Sequence, residues 1–348
     1  MTEEKKTATP IAQMGEFGLI KTLTDPFKPN NPKTIKGVGD DCAVIETGTE
    51  NYMLVTNDLL VEGIHFNLMY TPLKHLGYKA VTVNLSDIAA MNGKPEQILV
   101  SVAISSKFSV EAMEELYQGI YHACEKYKVD LIGGDTSSSL TGLMISVTAI
   151  GSINKKDIVY RSGAKPTDII CVTGNLGAAY AGLQVLEREK ELFTKQKVQP
   201  ELTNYDHILK RQLKPESRCD IVELLNKEGI HPSSMIDISD GLSSELMHIC
   251  SQSDCGCRIM LEKLPIDHQT TWALDEFKIA PETAVLNGGE DYELLFTVPV
   301  AYHEKVIGLN DITVIGYITD VSEGINALTP DNRLIPLAAQ GWNAFTGK

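Results

Sequence analysis

Five short segments of the chain place carboxylates where backbone propensity alone would not: Gly39-Asp40-Asp41, Thr56-Asn57-Asp58, Asn84-Leu-Ser-Asp87, Gly133-Gly134-Asp135 and Asp237-Ile-Ser239-Asp240-Gly241. Several follow an apolar run directly, where a strand would end and where ligand sites of α/β sheets gather. Any one of them alone reads best as a turn or N-cap aspartate, since Asp and Gly serve turns everywhere. Asp87 resists that reading. It falls in a helical seam otherwise made of Leu73, Leu76, Ala80, Val83 and Ala90, so the helix phase turns it inward, where an unpaired charge is costly. Few basic residues lie within the acidic segments, which favours a metal over a buried Lys or Arg as the partner. Hard oxygen ligands select Mg²⁺ or Ca²⁺ over zinc.

Aspartate-held Mg²⁺ permits nucleotide chemistry without a P-loop, because metal ions carry the polyphosphate while glycine-flanked backbone N–H groups approach it. The chain contains no G-x-x-x-x-G-K-[ST], G-x-G-x-x-G, H-E-x-x-H or G-x-S-x-G motif, which removes the usual nucleotide loops, zincins and hydrolase elbows. Gly174-Asn-Leu-Gly177 reads as a tight strand-to-helix turn, and Gly288-Gly289-Glu290-Asp291-Tyr292 as a further acidic turn.

The elements that must position these residues alternate between helical and strand patterns. Thr71 offers an N-cap and Pro72 a first helical position, with Asn92-Gly93 closing a helix over 72–91. A second helix follows Ser109. Val129 to Ile132 is a short apolar run stopped by Gly133-Gly134-Asp135, and 143–153 is β-rich. In the second half, 168–173, 235–238, 292–298 and 312–318 read as strands, and 176–187, 215–228 and 242–251 as helices. The charged stretch 188–209 reads as an exposed connection. The fold class expected is α/β (α+β), with a boundary in the turn-rich 161–166, giving domains 1–155 and 156–348.

Composition narrows the partners. A net charge of −15 over 348 residues, without clustered Lys or Arg, disfavours a nucleic-acid or anionic-membrane surface. No apolar run approaches a membrane span, and the polar start lacks a signal-peptide core. The seven cysteines are mostly scattered and read as reduced cytoplasmic thiols; Cys255-Gly-Cys257 is a poor zinc signal.

Taken in order, the segments resemble the thiamine-monophosphate kinase family, whose superfamily also holds aminoimidazole-ribonucleotide synthetase, selenophosphate synthetase and a hydrogenase-maturation protein. The resemblance runs nearly end to end: Gly15-Glu-Phe-Gly-Leu-Ile20, Gly39-Asp-Asp-Cys-Ala43, Asp58 with Val61-Glu-Gly-Ile-His-Phe66, Asn84-Leu-Ser-Asp-Ile-Ala-Ala-Met91, Gly133-Gly-Asp-Thr136, Arg161-Ser-Gly-Ala164, Asp237-Ile-Ser-Asp-Gly241, Gly288-Gly-Glu-Asp-Tyr292 and Gly341-Trp342. It implies ATP-dependent phosphorylation of thiamine monophosphate to thiamine diphosphate by direct in-line transfer, with several Mg²⁺ ions. It also implies a two-domain fold like that of aminoimidazole-ribonucleotide synthetase and a homodimer joined through the N-terminal sheets.

Carried onto matching positions, the resemblance implies metal ligation by Asp41, Thr56, Asn57, Asp58, Asp87, Asp135, Asp237 and Asp240. Of these, Asp41, Asp58, Asp87, Asp135 and Asp240 would serve the transfer step. ATP would meet Tyr117, Gly134, Asp135, Arg161 and Ser239, and the thiamine phosphate His65, Glu290 and Phe345. Asn57 departs from the family's second threonine, so it fits as a ligand through its backbone oxygen. Taken singly, His65 reads as a hydrogen-bonded histidine, Tyr117 as core, Arg161 as a solvated charge, Glu290 as a strand-entry residue and Phe345 as a C-terminal anchor. Two rivals remain: another ATP-dependent enzyme of the superfamily, and a non-catalytic Mg-nucleotide-binding protein. The absence of cysteine before Cys42 and the ending Thr346-Gly347-Lys348 weigh against the selenophosphate and hydrogenase branches.

Overall fold

Strand patterns with a period of two run through the first half of the chain. Met144–Asn154 alternates half-buried and buried residues along most of its length, the signature of a sheet with one face in a core. In the computed structural model, which describes residues 11–339, this strand is central to a six-stranded sheet. The elements of that half are α1 (Gly15–Thr24), β1 (Thr34–Lys36), β2 (Ala43–Glu46), β3 (Asn51–Val61), α2 (Leu73–Ala90), β4 (Lys94–Ile104), α3 (Val110–Tyr127), β5 (Asp130–Ser138) and β6 (Met144–Asn154). The sheet order is β1-β2-β3-β6-β4-β5, antiparallel except for β4 with β5.

The remaining chain gives β7 (Ile169–Thr173), α4 (Ala178–Gln196), α5 (Asp206–Leu213), α6 (Cys219–Lys227), β8 (Ser234–Asp237), α7 (Leu242–Ser253) and β9 (Cys255–Met260). It continues through α8 (His268–Glu276), α9 (Pro281–Asn287), β10 (Leu294–Val298), α10 (His303–Val306), β11 (Ile312–Asp320), β12 (Ile325–Leu328) and β13 (Leu334–Pro336). Its seven-stranded sheet has the order β13-β12-β9-β11-β7-β10-β8. Among the described residues, no helix is long and apolar enough to cross a membrane.

Helix α2 is expected to be amphipathic, yet fourteen of its eighteen residues are buried, as in a helix covered on every side. Leu76, Leu85 and Ile88 pack with Ile98, Leu116 and Ile120 over the first sheet. Ala89 and Ala90 pack instead with Ile169, Met235 and Phe296 of the second. Its crossing with α3 brings backbones into contact at two glycines. A Cβ on Gly77 would lie 2.0 Å from the Leu116 carbonyl oxygen, and one on Gly119 1.9 Å from that of Lys74. We therefore expect Gly119→Ala to destabilise the protein by about 1–3 kcal/mol or more through overpacking. A urea melt with an unchanged midpoint would contradict this.

Four boundaries differ from the sequence expectation. Pro72 is the N-cap of α2 in extended conformation rather than its first residue, with Thr71 buried ahead of it. The 133–135 segment does not stop a strand, because β5 runs through it. Gly134 serves close approach: its φ is +156°, and a Cβ there would lie 1.7 Å from the Val100 carbonyl oxygen. The stretch 188–209 is largely helical, with α4 continuing to Gln196 and α5 starting at Asp206. Its Glu, Lys and Arg are strong helix formers, and Glu191–Lys195 and Arg188–Glu276 ion pairs support them. Helix α6 starts at Cys219, leaving Pro215–Arg218 as its approach.

Candidate active site

Alternation along β3 sorts the Thr56-Asn57-Asp58 triplet onto two faces. Thr56 is buried and Asp58 partly buried on the side that meets α2. The Asn57 amide is on the outer face, donating to Ser146 Oγ (3.0 Å), Thr148 Oγ1 (2.9 Å) and the Val147 carbonyl (2.9 Å). Helix α2 answers the inner face: Asn84 Oδ1 accepts from Asp58 N at 2.9 Å, and Thr56 Oγ1 donates to Asp87 Oδ2 at 2.6 Å. The loop before β2 delivers Asp41 and the end of β8 delivers Asp237, both buried. Ser86 Oγ donates to Asp237 Oδ2 at 2.6 Å, joining the two sheets through α2.

Carboxylate oxygens of Asp41, Asp87 and Asp237 all lie within 4.8 Å of one another. Among the described residues, the Arg161 guanidinium faces them, donating to Asp41 Oδ1 from Nε (3.1 Å) and Nη2 (2.6 Å). Its backbone N–H bonds Asp40 Oδ1, which also pairs with Lys36 through its other oxygen at 3.3 Å. Burial pushes Asp41 up to about 7 despite Arg161, with Asp237 adding to the rise. Burial likewise raises Asp58 to about 6, and Asp237 to about 6 against the Ser86 hydroxyl and Arg161. Asp87 stands well above the usual carboxylate range, through burial and then Asp58, Asp237 and Asp41. Like charges at this spacing cannot all ionise without a cation.

The donor set fits a hard cation. Asp41 Oδ2 is buried with no hydrogen-bond partner among the described residues. Oxygen donors without sulfur or imidazole in the cluster suit Mg²⁺.

The structure does not gather every expected residue here. Gly134 and Asp135 lie on the edge strand β5, three positions across the sheet from β3. Asp135 pairs with Ser101, in a register row that continues through Ser146 to Leu59, on the outer face. Tyr117, half-buried on α3, packs against the first core and meets Tyr121 edge-on at 6.0 Å. His65 Nδ1 accepts from Val61 N at 3.0 Å, closing the turn after β3. Ser239 and Asp240 follow β8 directly, and Asp240 is close enough to raise Asp237. Glu290 sits in the loop beside them with φ +58°, its carboxylate held by Lys79 Nζ and Gln212 Nε2 at 2.8 and 2.7 Å. Phe345, like Gly341-Trp342, lies outside the described residues.

Sequence reasoning assigned no role to Lys79 and Glu245, nor to Ser86 and Tyr292, which stand inside the matching motifs. Tyr292 is buried among Glu290, Asp58, Asp237 and Asp240, and after burial itself these carboxylates raise its phenol furthest. Lys79, a charge inside an otherwise apolar helix stretch, carried the readable signal: a buried ammonium demands an anion.

Two sheets sharing one buried helix, with a carboxylate cluster at their junction, define a class of protein. The family model described as AIR synthase related protein, N-terminal domain, matches residues 39–153. A thiamine-monophosphate kinase of Buchnera aphidicola subsp. Schizaphis graminum is 38% identical, covering 96% of this chain and 99% of its own. One of Bacillus subtilis is 35% identical, covering 95% and 100%. The solved structure of AaThiL complexed with AMPPCP and TMP is 32% identical, with a TM-score of 0.83 over 97% of this chain and 100% of that one. The chain belongs to the thiamine-monophosphate kinase family.

Proposed function

We propose that the protein phosphorylates thiamine monophosphate to thiamine diphosphate with ATP, by direct in-line transfer. The reading rests above all on the Asp41, Asp87 and Asp237 cluster, in a chain alignable throughout with kinases of this name. The AMPPCP and TMP in the complex of the structural relative support a nucleotide and a thiamine phosphate as the two substrates.

The acceptor is a phosphate monoester whose second pKa lies near 6, so at neutral pH its attacking oxygen is largely deprotonated. No general base is needed, and the chain's task is to position two anions and offset their repulsion. Asp41, Asp58, Asp87, Asp237 and Asp240, with Thr56 and the Asn57 backbone oxygen, would hold Mg²⁺ ions, which supply the positive charge the polyphosphate requires. Arg161, partly buried and braced on Asp41, is assigned to a nucleotide phosphate, for which a guanidinium fork is well shaped. Ser239 completes that side, and Tyr117, Gly134 and Asp135 are assigned to ATP by family position. His65, Glu290 and Phe345 are assigned in the same way to the thiamine phosphate.

The same reading includes a homodimer through the outer face of the first sheet, and assigns Asp135 to metal ligation and to the transfer by family position alone. Exposed Leu59 and Ile132 on the sheet support an apolar contact there. It further includes a division of the chain at residues 155/156 and a cytoplasmic location.

The deciding experiment incubates the protein with ATP, Mg²⁺ and thiamine monophosphate, with free thiamine and an aminoimidazole precursor in parallel. ADP and thiamine diphosphate are followed together. Equal amounts of both, abolished by EDTA, are expected. ADP without thiamine diphosphate would move the acceptor elsewhere in the superfamily.

A further inference from the structure

The turn that carries Asp237, Ser239 and Asp240 has its backbone groups held from two sides. On one side stands Glu245, in the first turn of α7 and 2% exposed. Its Oε1 accepts from both Ser239 N (2.9 Å) and Asp240 N (2.7 Å), whereas Oε2 is buried without a partner. On the other side is the loop bearing Glu290. Glu290 N donates to the Ser239 carbonyl at 2.7 Å, Tyr292 N to the Ile238 carbonyl at 2.8 Å, and Ile238 N to the Glu293 carbonyl at 2.8 Å. That loop is conformationally loaded, since Glu290 and Tyr292 have φ of +58° and +51°. Side chains persist in that region only where surrounding bonds over-determine them.

We infer that Glu245 is a positioning residue that makes the metal-bearing turn and the Glu290 loop a single rigid unit, so that cation binding and thiamine-side binding depend on one acceptor oxygen. The inference rests on the magnesium and kinase reading above. Without Oε1, two turn amides lose their partner, and the Ser239 and Ile238 carbonyls, on which Glu290 N and Tyr292 N rest, lose their fixed position.

Three variants separate acceptor geometry from charge. Glu245→Gln keeps a carbonyl oxygen at the same reach, Glu245→Asp keeps the charge but shortens the reach, and Glu245→Ala removes both. Mg²⁺ binding by calorimetry in the absence of nucleotide is measured beside the KM for thiamine monophosphate. Glu245→Ala is expected to weaken Mg²⁺ binding by about 10- to 100-fold, the scale for losing a group that orients metal ligands. The KM should rise by a comparable factor, and Glu245→Gln should stay close to wild type in both. Unchanged Mg²⁺ binding in a folded Glu245→Ala, or Gln as defective as Ala, would overturn the inference. Should Ala fail to fold, the other pair decides: Asp impaired with Gln intact supports it, and any other combination overturns it. Wild-type protein that binds Mg²⁺ but forms no thiamine diphosphate would sink the kinase reading instead, leaving the comparison of Mg²⁺ affinities standing.

Discussion

Asp87→Asn is expected to lower turnover by at least about 100-fold, on the scale of losing one charge-stabilising group in a preorganised site, while making the metal-free protein more stable. The two effects have one origin. Asp87 shares a small volume with Asp41 and Asp237, and its Oδ2 accepts from the Thr56 hydroxyl. Asparagine keeps an oxygen for that hydroxyl and almost the same volume, so packing against α2 and β3 is preserved. What disappears is one negative charge from a cluster that a single guanidinium does not balance. Relief of that repulsion is expected to add about 0.5–2 kcal/mol in EDTA, the usual gain when a functional strain is removed. Steady-state kinetics and thermal melts in EDTA test both halves. A folded variant with wild-type turnover would remove Asp87 from the metal site, and a variant that is slower and less stable would assign it a structural role.

Stabilisation by Mg²⁺ should grow steeply with pH. Asp41 is raised to about 7 and Asp58 and Asp237 to about 6, with Asp87 raised as well. The unfolded chain titrates near the ordinary value of about 4. Between about pH 4 and 7 the metal-free native state therefore holds more protons than the unfolded one, and its stability falls as pH rises through that window. For Asp41, Asp58 and Asp237 the protonation contribution is complete below about pH 4 and gone above about pH 7. Mg²⁺ competes with those protons, because ligands must be ionised to bind. Near pH 5 added Mg²⁺ should barely move the melting temperature. Near pH 8, at about 100 times its Kd, it should contribute about 2.7 kcal/mol. Equal shifts at both pH values would show that the cation binds elsewhere.

The carboxylate cluster was legible because its members broke local rules. Asp87 sat in an apolar seam, and Asp41, Asp237 and Asp240 sat beside apolar runs or glycine, where backbone turns bring chain ends together. The Thr56-Asn57-Asp58 triplet read as one unit, although the period of a strand must send its middle side chain to the other face, where Asn57 bonds Ser146 and Thr148. Lys79 signalled a buried ammonium but not its partner, since Glu290 lies 211 positions away. Glu245 escaped although its partners Ser239 and Asp240 are near in sequence, because a glutamate in a helix's first turn reads as an ordinary solvated charge. In the fold, the 188–209 stretch misled because its apolar residues are sparse, whereas helix propensity and ion pairs carried the helix further. The Gly133-Gly134 pair read as a stop because a glycine that permits a turn and one that permits close strand approach look identical in one dimension.

Helix α2 also bears on how the chain is made. Its Leu76, Leu85 and Ile88 belong to one core and its Ala89 and Ala90 to the other, and the second core needs residues as far along the chain as Ile312 at the start of β11. During synthesis, a nascent chain that has reached Asn154 has every strand of the first sheet, yet the end of its central helix has nothing to cover it. Asp41, Asp58 and Asp87 are by then on the same nascent segment, but Asp237 has not been translated. The enzyme therefore passes through a stage with an exposed apolar helix end and an incomplete set of charges, the kind of surface that chaperones bind, before a site can exist at all.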